Sequence, residues 1–149
     1  MKNKDYQLYI NLSPEDLNLL AKRRGWVMSF VGYVVYRLLT LFGQQAKNYK
    51  GICEYFEIGS SWGGVSLGYF FICDKNCSDY IKRHEVGHCI QNAAVGGFTM
   101  FAYSIASAVR CGWRKFIPSK RSYYDWFFEG DASKIGSLYV ERMAVNTKE

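Results

Sequence analysis

Residues 78–97 read Ser78-Asp79-Tyr80-Ile81-Lys82-Arg83-His84-Glu85-Val86-Gly87-His88-Cys89-Ile90-Gln91-Asn92-Ala93-Ala94-Val95-Gly96-Gly97. Ser78 and Asp79 supply a cap and an acid for the first turn, and Gly96-Gly97 supplies a stop, so the stretch is predicted to be one helix. Positions four apart share a helix face. His84 and His88 therefore project side by side, near enough for two imidazoles to hold one ion. Glu85 lies about 100° around the helix from His84, where it can reach a water on that ion without ligating the ion itself. These are the only two histidines in the 149 residues, which sets them apart from histidines scattered over a surface. The opposing reading is two packed helix histidines with an incidental glutamate between them.

Zinc with three protein ligands and one open position lowers the pKa of a bound water towards 7, and a nearby carboxylate can take the proton as the water attacks a carbonyl. Two histidines leave one ligand to be found. Glu129 is the best candidate, in Tyr124-Asp125-Trp126-Phe127-Phe128-Glu129-Gly130-Asp131-Ala132-Ser133. A lone carboxylate in so aromatic a helix is costly unless paired or metal-bound, and Ala132, one turn on, is small enough to let that helix approach the histidine helix. Asp131 is the alternative ligand, and Asp125 could orient a histidine from behind. Gln91, seven residues after His84, shares the metal face either as a hydrogen-bond partner or as a packed amide. Tyr123, Tyr124, Tyr139 and Arg142 are candidates to stabilise an oxyanion.

Outward from the helix, residues 44–77 carry glycines, aromatics and β-branched residues, which predicts two or three strands with turns at 59–64 and 74–76. Val65 to Ile72, just before the metal helix, is in place either to hold an extended substrate by strand addition at a sheet edge or to be a plain core strand. Towards the N-terminus, residues 1–12 alternate loosely, and Ser13-Pro14-Glu15-Asp16 is a strong helix start leading to the Lys22-Arg23-Arg24 cluster and Gly25. Two apolar runs follow the same pattern, Trp26 to Gly43 and Phe98 to Val109, each beside basic and aromatic residues. They read either as contact with a membrane surface or as an aromatic-rich core. Pro118 breaks the chain, and a last helix is expected from about Tyr123–Asp125 to about Ala144.

Hydrophobic residues make up 49% of the chain and aromatics 17%, both high for a small soluble domain, and the net charge is +6. The charge is mild, and neither a zinc-finger spacing nor an RNA-binding signature occurs, so no nucleic-acid partner is expected. The five cysteines form no Cys-x-x-Cys pair, and the polar start Lys2-Asn3-Lys4-Asp5 is unlike a secretory signal. Reduced thiols and a cytoplasmic or cytoplasm-facing location are expected, not secretion.

The H-E-x-G-H segment with E-x-x-A some tens of residues later resembles the gluzincin metallopeptidases. It looks most like the branch with E-x-x-A-D, which includes membrane-bound prenyl-protein peptidases. The resemblance implies His84, His88 and Glu129 as ligands and Glu85 as general base. The chain departs from that branch at Ser133, where aspartate is usual, so Asp131 or Asp125 is expected to take over its hydrogen bonds. A further likeness, over roughly residues 60–137, is to small bacterial proteins with S-L-G-x-F-x-F, H-E-x-G-H-x-x-Q and E-x-x-A-x-x-x-G. These read here as Ser66 to Ile72, His84 to Gln91 and Glu129 to Gly136. The likeness implies no substrate.

The expected fold is α+β, a minimal zincin-like single domain over 1–149. A small antiparallel or mixed sheet would pack on the metal helix and on the C-terminal helix bearing Glu129, with extra apolar helices. Residues 1–50 would form a helical N-terminal region and 51–149 the metal-binding core. The expected function is that of a zinc-dependent metallopeptidase acting on peptide or protein chains. The alternatives are a non-catalytic metal-binding or membrane-associated accessory protein, and a hydrolase of non-peptide amides or esters.

Overall fold

The computed structural model describes residues 6–116 and 127–146. The fold is α+β with a four-stranded mixed sheet. It opens with a single helical turn, α1 (Gln7–Ile10), where loose alternation had been expected. Tyr6, Tyr9 and Ile10 fall at i, i+3 and i+4, so one turn buries all three, which an extended segment would not do. Helix α2 (Pro14–Arg24) starts as its sequence predicts. Ser13 Oγ accepts from the Asp16 backbone N–H at 3.1 Å, and Pro14 takes the first turn.

Gly25 separates α2 from α3 (Trp26–Leu41), and a Cβ there would overlap the Asn92 side chain. Asn92 Nδ2 donates to the Ala21 carbonyl at 3.3 Å, tying the α2–α3 corner to the helix that carries the histidines. At 16 residues α3 is about 24 Å long, short of the roughly 30 Å hydrocarbon core of a bilayer. No helix of the described residues is long and apolar enough to cross a membrane.

Strands β1 (Lys47–Tyr49), β2 (Cys53–Glu57), β3 (Gly64–Ser66) and β4 (Phe70–Cys73) pair in the order β1-β2-β4-β3. β1–β2 and β3–β4 are antiparallel, and β2–β4 is parallel. The chain leaves β2, lays down β3 one strand position away, and turns back into the gap as β4. The expected strand Val65–Ile72 is therefore two strands. It bends at Gly68, which takes φ +86° and packs so closely on Ser29 of α3 that no side chain fits. Of these two, β3 is the edge strand. β4 lies inside the sheet and is buried at every residue. β1 falls within the region expected to be helical, so a boundary at residue 50 would cut the β1–β2 pair.

Helix α4 (Asp79–Val95) is capped by Ser78, whose Oγ accepts from the Ile81 N–H at 3.3 Å, and ends at Gly96 with φ 86°. Every residue from His84 to Ala94 is buried. β3 and β4, α2, α5 (Gly97–Phe116) and α6 (Phe127–Asn146) all pack against it. The contact with α6 is at backbone distance. A Cβ on Gly87 would overlap the Ala132 carbonyl, and one on Gly136 would overlap the Arg83 carbonyl. Ala132 thus gives the close approach expected of a small residue there. The aromatic excess is partly absorbed by the core, where Tyr36 of α3 stands edge-on to Phe56 and Phe70 of the sheet.

Candidate metal centre

Three buried side chains meet between α4 and α6. His84 Nε2 and His88 Nε2 are 3.1 Å apart. Glu129 Oε2 lies 3.1 Å from the first and 3.2 Å from the second. Ligand atoms arranged tetrahedrally around an ion at 2.0–2.1 Å sit about 3.3 Å from one another, so this triangle has the dimensions of one face of such a polyhedron. The group could hold a metal ion.

Both imidazoles are fixed through their other nitrogen. Ser133 donates its hydroxyl proton to the Glu129 backbone carbonyl (3.4 Å), so its Oγ accepts from His84 Nδ1–H at 2.9 Å. Gln91 Nε2 donates to the Phe128 carbonyl at 3.0 Å, which orients its Oε1 to accept from His88 Nδ1–H at 2.8 Å. Each Nε2 is thereby turned towards the other two groups, and a bound metal ion would meet the Nε2 lone pairs, as metal-ligating histidines require. Glu129 Oε1 accepts from Ser107 Oγ of α5 at 2.7 Å.

The electrostatics favour a cation. Burial alone would raise the Glu129 carboxyl, but the hydrogen bonds with His84 and His88, the charge of His88 and the Ser107 hydroxyl hold it well below the usual carboxylate range. Burial disfavours charge on His88, yet its bond to Glu129 and the nearby carboxylates raise it to about 9 in the metal-free site. His84 is lowered, chiefly by burial.

Glu85 behaves differently. Burial pushes its carboxyl up to about 7, and its Oε2 has no hydrogen-bond partner among the described residues. Leaving that oxygen buried and unbonded carries a desolvation cost, in line with the raised carboxyl. The Glu85 side chain also borders a cavity of about 420 Å³ that it shares with the triad, with Trp62 and Val65 on the sheet side, and with Met100, Tyr103 and Phe128. Gly64 brings β3 to the cavity wall, since a Cβ there would sit 2.7 Å from Glu85 Oε1. The bonds Asp74 N–H to Gly63 O and Leu67 N–H to Phe70 O set the ladder register. By alternation Val65 bonds β4, while Gly64 and Ser66 turn their N–H and C=O groups to the free edge.

The structure brings together His84, Glu85, His88 and Glu129, with Gln91 behind His88. Asp131 is half-buried and outside the triad. Tyr123, Tyr124 and Asp125 lie outside the described residues. Tyr139 and Arg142 face elsewhere, bonding the Leu12 and Ile10 carbonyls near the N-terminus, so neither is an oxyanion donor. Ser133 itself meets His84; of the two aspartates expected to take over that hydrogen bond, Asp131 stands outside the triad and Asp125 lies outside the described residues. Ser107 and Tyr103 were not singled out from sequence, and Ser133 only as a departure from the family pattern. A signal existed for Ser133, four residues after Glu129 on the same helix face. None existed for Tyr103 and Ser107, whose run read only as apolar with small residues.

Comparison of the chain with protein-family models, with curated proteins and with solved structures found no match. The meaning of the site rests on its geometry.

Proposed function

We propose that the chain is a zinc-dependent hydrolase, a metallopeptidase of gluzincin type on a minimal zincin-like fold. The observation that carries the proposal is Glu85: a buried carboxyl with an orphaned oxygen, raised to about 7, bordering a cavity it shares with a two-histidine, one-carboxylate triad. Two imidazoles and one carboxylate suit zinc, with an open fourth position characteristic of catalytic sites. Zinc held there would supply Lewis acidity at the cavity wall. The protein's own groups do the rest. Glu85, protonating near neutrality, takes a proton from a water in the cavity and returns it to the leaving amine. Ser133 and Gln91 hold the imidazoles in register. The outward groups of Gly64 and Ser66 pair with an extended peptide as an added strand, laying its backbone beside Glu85.

Metal content measured on the purified protein, together with mass spectrometry of a mixed peptide library, tests this. The Glu85→Gln variant is expected to keep its zinc and lose roughly 100-fold or more in cleavage rate, whereas His84→Ala loses both. A fully active Glu85→Gln, or a wild-type protein that takes up no zinc, would end the reading.

A further inference from the structure

Twelve of the nineteen exposed large apolar side chains among the described residues lie on α3, on Phe42 just after it, and on α5. On α3 the outward face presents Trp26, Phe30, Tyr33, Val34, Leu38 and Leu41, broken only by Arg37 and Thr40. On α5 it presents Phe98, Phe101, Ile105 and Val109. The two faces join where the helices begin: Trp26, 57% exposed, and Phe98, 70% exposed, meet edge-to-face at 5.9 Å. Gly97 packs there against the Gly25 backbone. Apolar surface concentrated this way marks an interaction site, unlike exposed residues scattered singly.

The charge pattern says what covers it. No aspartate or glutamate occurs between Asp16 and Glu54, nor between Glu85 and Asp125. Those two intervals hold eleven of the nineteen lysines and arginines, whereas the rest of the chain has eight against all thirteen acids. Lys47 and Lys50 among these pair with Glu57 and Asp79, but the segments of the apolar faces hold cations and no acids, and the exposed Lys22-Arg23-Arg24 cluster directly precedes Trp26. A second copy of the chain would bring the same positive charge to the same face and be repelled. An acidic surface with an apolar interior is complementary.

We propose that α3 and the outward face of α5 lie in the plane of an anionic lipid bilayer, with the aromatic and aliphatic side chains among the acyl chains and Lys22–Arg24 against the headgroup phosphates. Aromatic residues with flanking cations bind lipid interfaces in this way. The opposite face of α5 supplies Met100, Tyr103 and Ser107 to the cavity wall, so attachment sets the cavity beside the membrane surface. The attachment does not depend on the metal chemistry.

Flotation of the full-length protein with vesicles tests it, using phosphatidylcholine alone or with roughly one third phosphatidylglycerol. Binding is expected to the anionic vesicles, falling roughly tenfold or more on neutral vesicles or in about 0.5 M salt. Arg23→Glu should weaken binding to the anionic vesicles. The double variant Trp26→Gln/Phe98→Gln should lower it roughly tenfold, with circular dichroism and melting unchanged because both side chains are exposed. Phe30→Gln serves the same purpose if that pair does not fold. Glu85→Gln should float like wild type, which separates this proposal from the hydrolase reading. The proposal is overturned if wild type does not float with anionic vesicles, or if the apolar variants float equally well. It is also overturned if those variants instead disperse a dimer in sedimentation.

Discussion

Replacing Glu85 with Gln should stabilise the metal-free protein, with a gain that depends on pH. The folded protein holds the Glu85 proton up to about 7 because the buried site disfavours the charge, against an ordinary value of 4.5. Between those values the folded state keeps a proton that the unfolded chain has released, so folding stability falls as pH rises through that window. Below it there is no penalty, and above it the penalty is constant. At about 1.4 kcal/mol per tenfold in proton affinity, the displacement corresponds to roughly 3 kcal/mol. Gln cannot ionise, and whatever its amide costs in the same space it costs at every pH. The informative quantity is therefore the Glu85→Gln effect at about pH 8 minus that at about pH 4. Urea unfolding with chelator present, followed by tryptophan fluorescence, measures it. With a slope of about 2 kcal/mol per molar urea, the midpoint difference should change by roughly 1.5 M between the two conditions. An effect of equal size at both pH values, or one favouring wild type at the higher pH, would refute the argument that burial of a charge at Glu85 opposes folding.

The hydrogen bond behind His84 predicts that Ser133→Ala weakens metal binding roughly 10- to 100-fold in chelator competition, and that Ser133→Asp restores much of it. Equal affinity in all three proteins would make Ser133 a bystander. Because His88 in the metal-free site stays protonated to about 9, metal uptake at neutral pH should release a proton, and affinity should rise with pH until about 9 and then level. Calorimetry in two buffers of different ionisation enthalpy reads the proton directly, and identical heats would contradict the assignment. Gly87→Ala forces a methyl into the Ala132 carbonyl, so it should cost about 3 kcal/mol. The expected drop in melting temperature is roughly 10 °C, and an unchanged melting point would mean that α6 can move aside freely.

Local chemistry was what the sequence made legible. Ser13 and Ser78 announce their helices because a hydroxyl three residues before an unpaired N–H has one obvious use. The His84–His88 pair is legible because helix periodicity alone makes the two imidazoles neighbours. Glu129 could be proposed from the cost of burying it and from the E-x-x-A resemblance, but its meeting with the histidines depends on α4 and α6 closing at Gly87 and Gly136, which no local pattern encodes. Strand order escaped for the same reason. Nothing in Val65–Ile72 says that the chain turns at Gly68, since that turn answers to Ser29 of a helix some forty residues earlier. Ser133 read only as a departure from the family pattern, because nothing local says that α4 and α6 lie close enough for its hydroxyl to reach His84. Tyr139 and Arg142 looked available because their partners, the Leu12 and Ile10 carbonyls, are remote in sequence.

The same remoteness gives the triad a history. His84 and His88 are made together, but Glu129 follows His88 by 41 residues. At a synthesis rate of 5–20 residues per second that is a delay of roughly 2–8 s. Throughout it the nascent chain carries two imidazoles without their carboxylate, on a helix that α6 has not yet enclosed. The pocket is therefore finished late and all at once, when α6 docks. Until then a cell making this protein carries only an incomplete version of it.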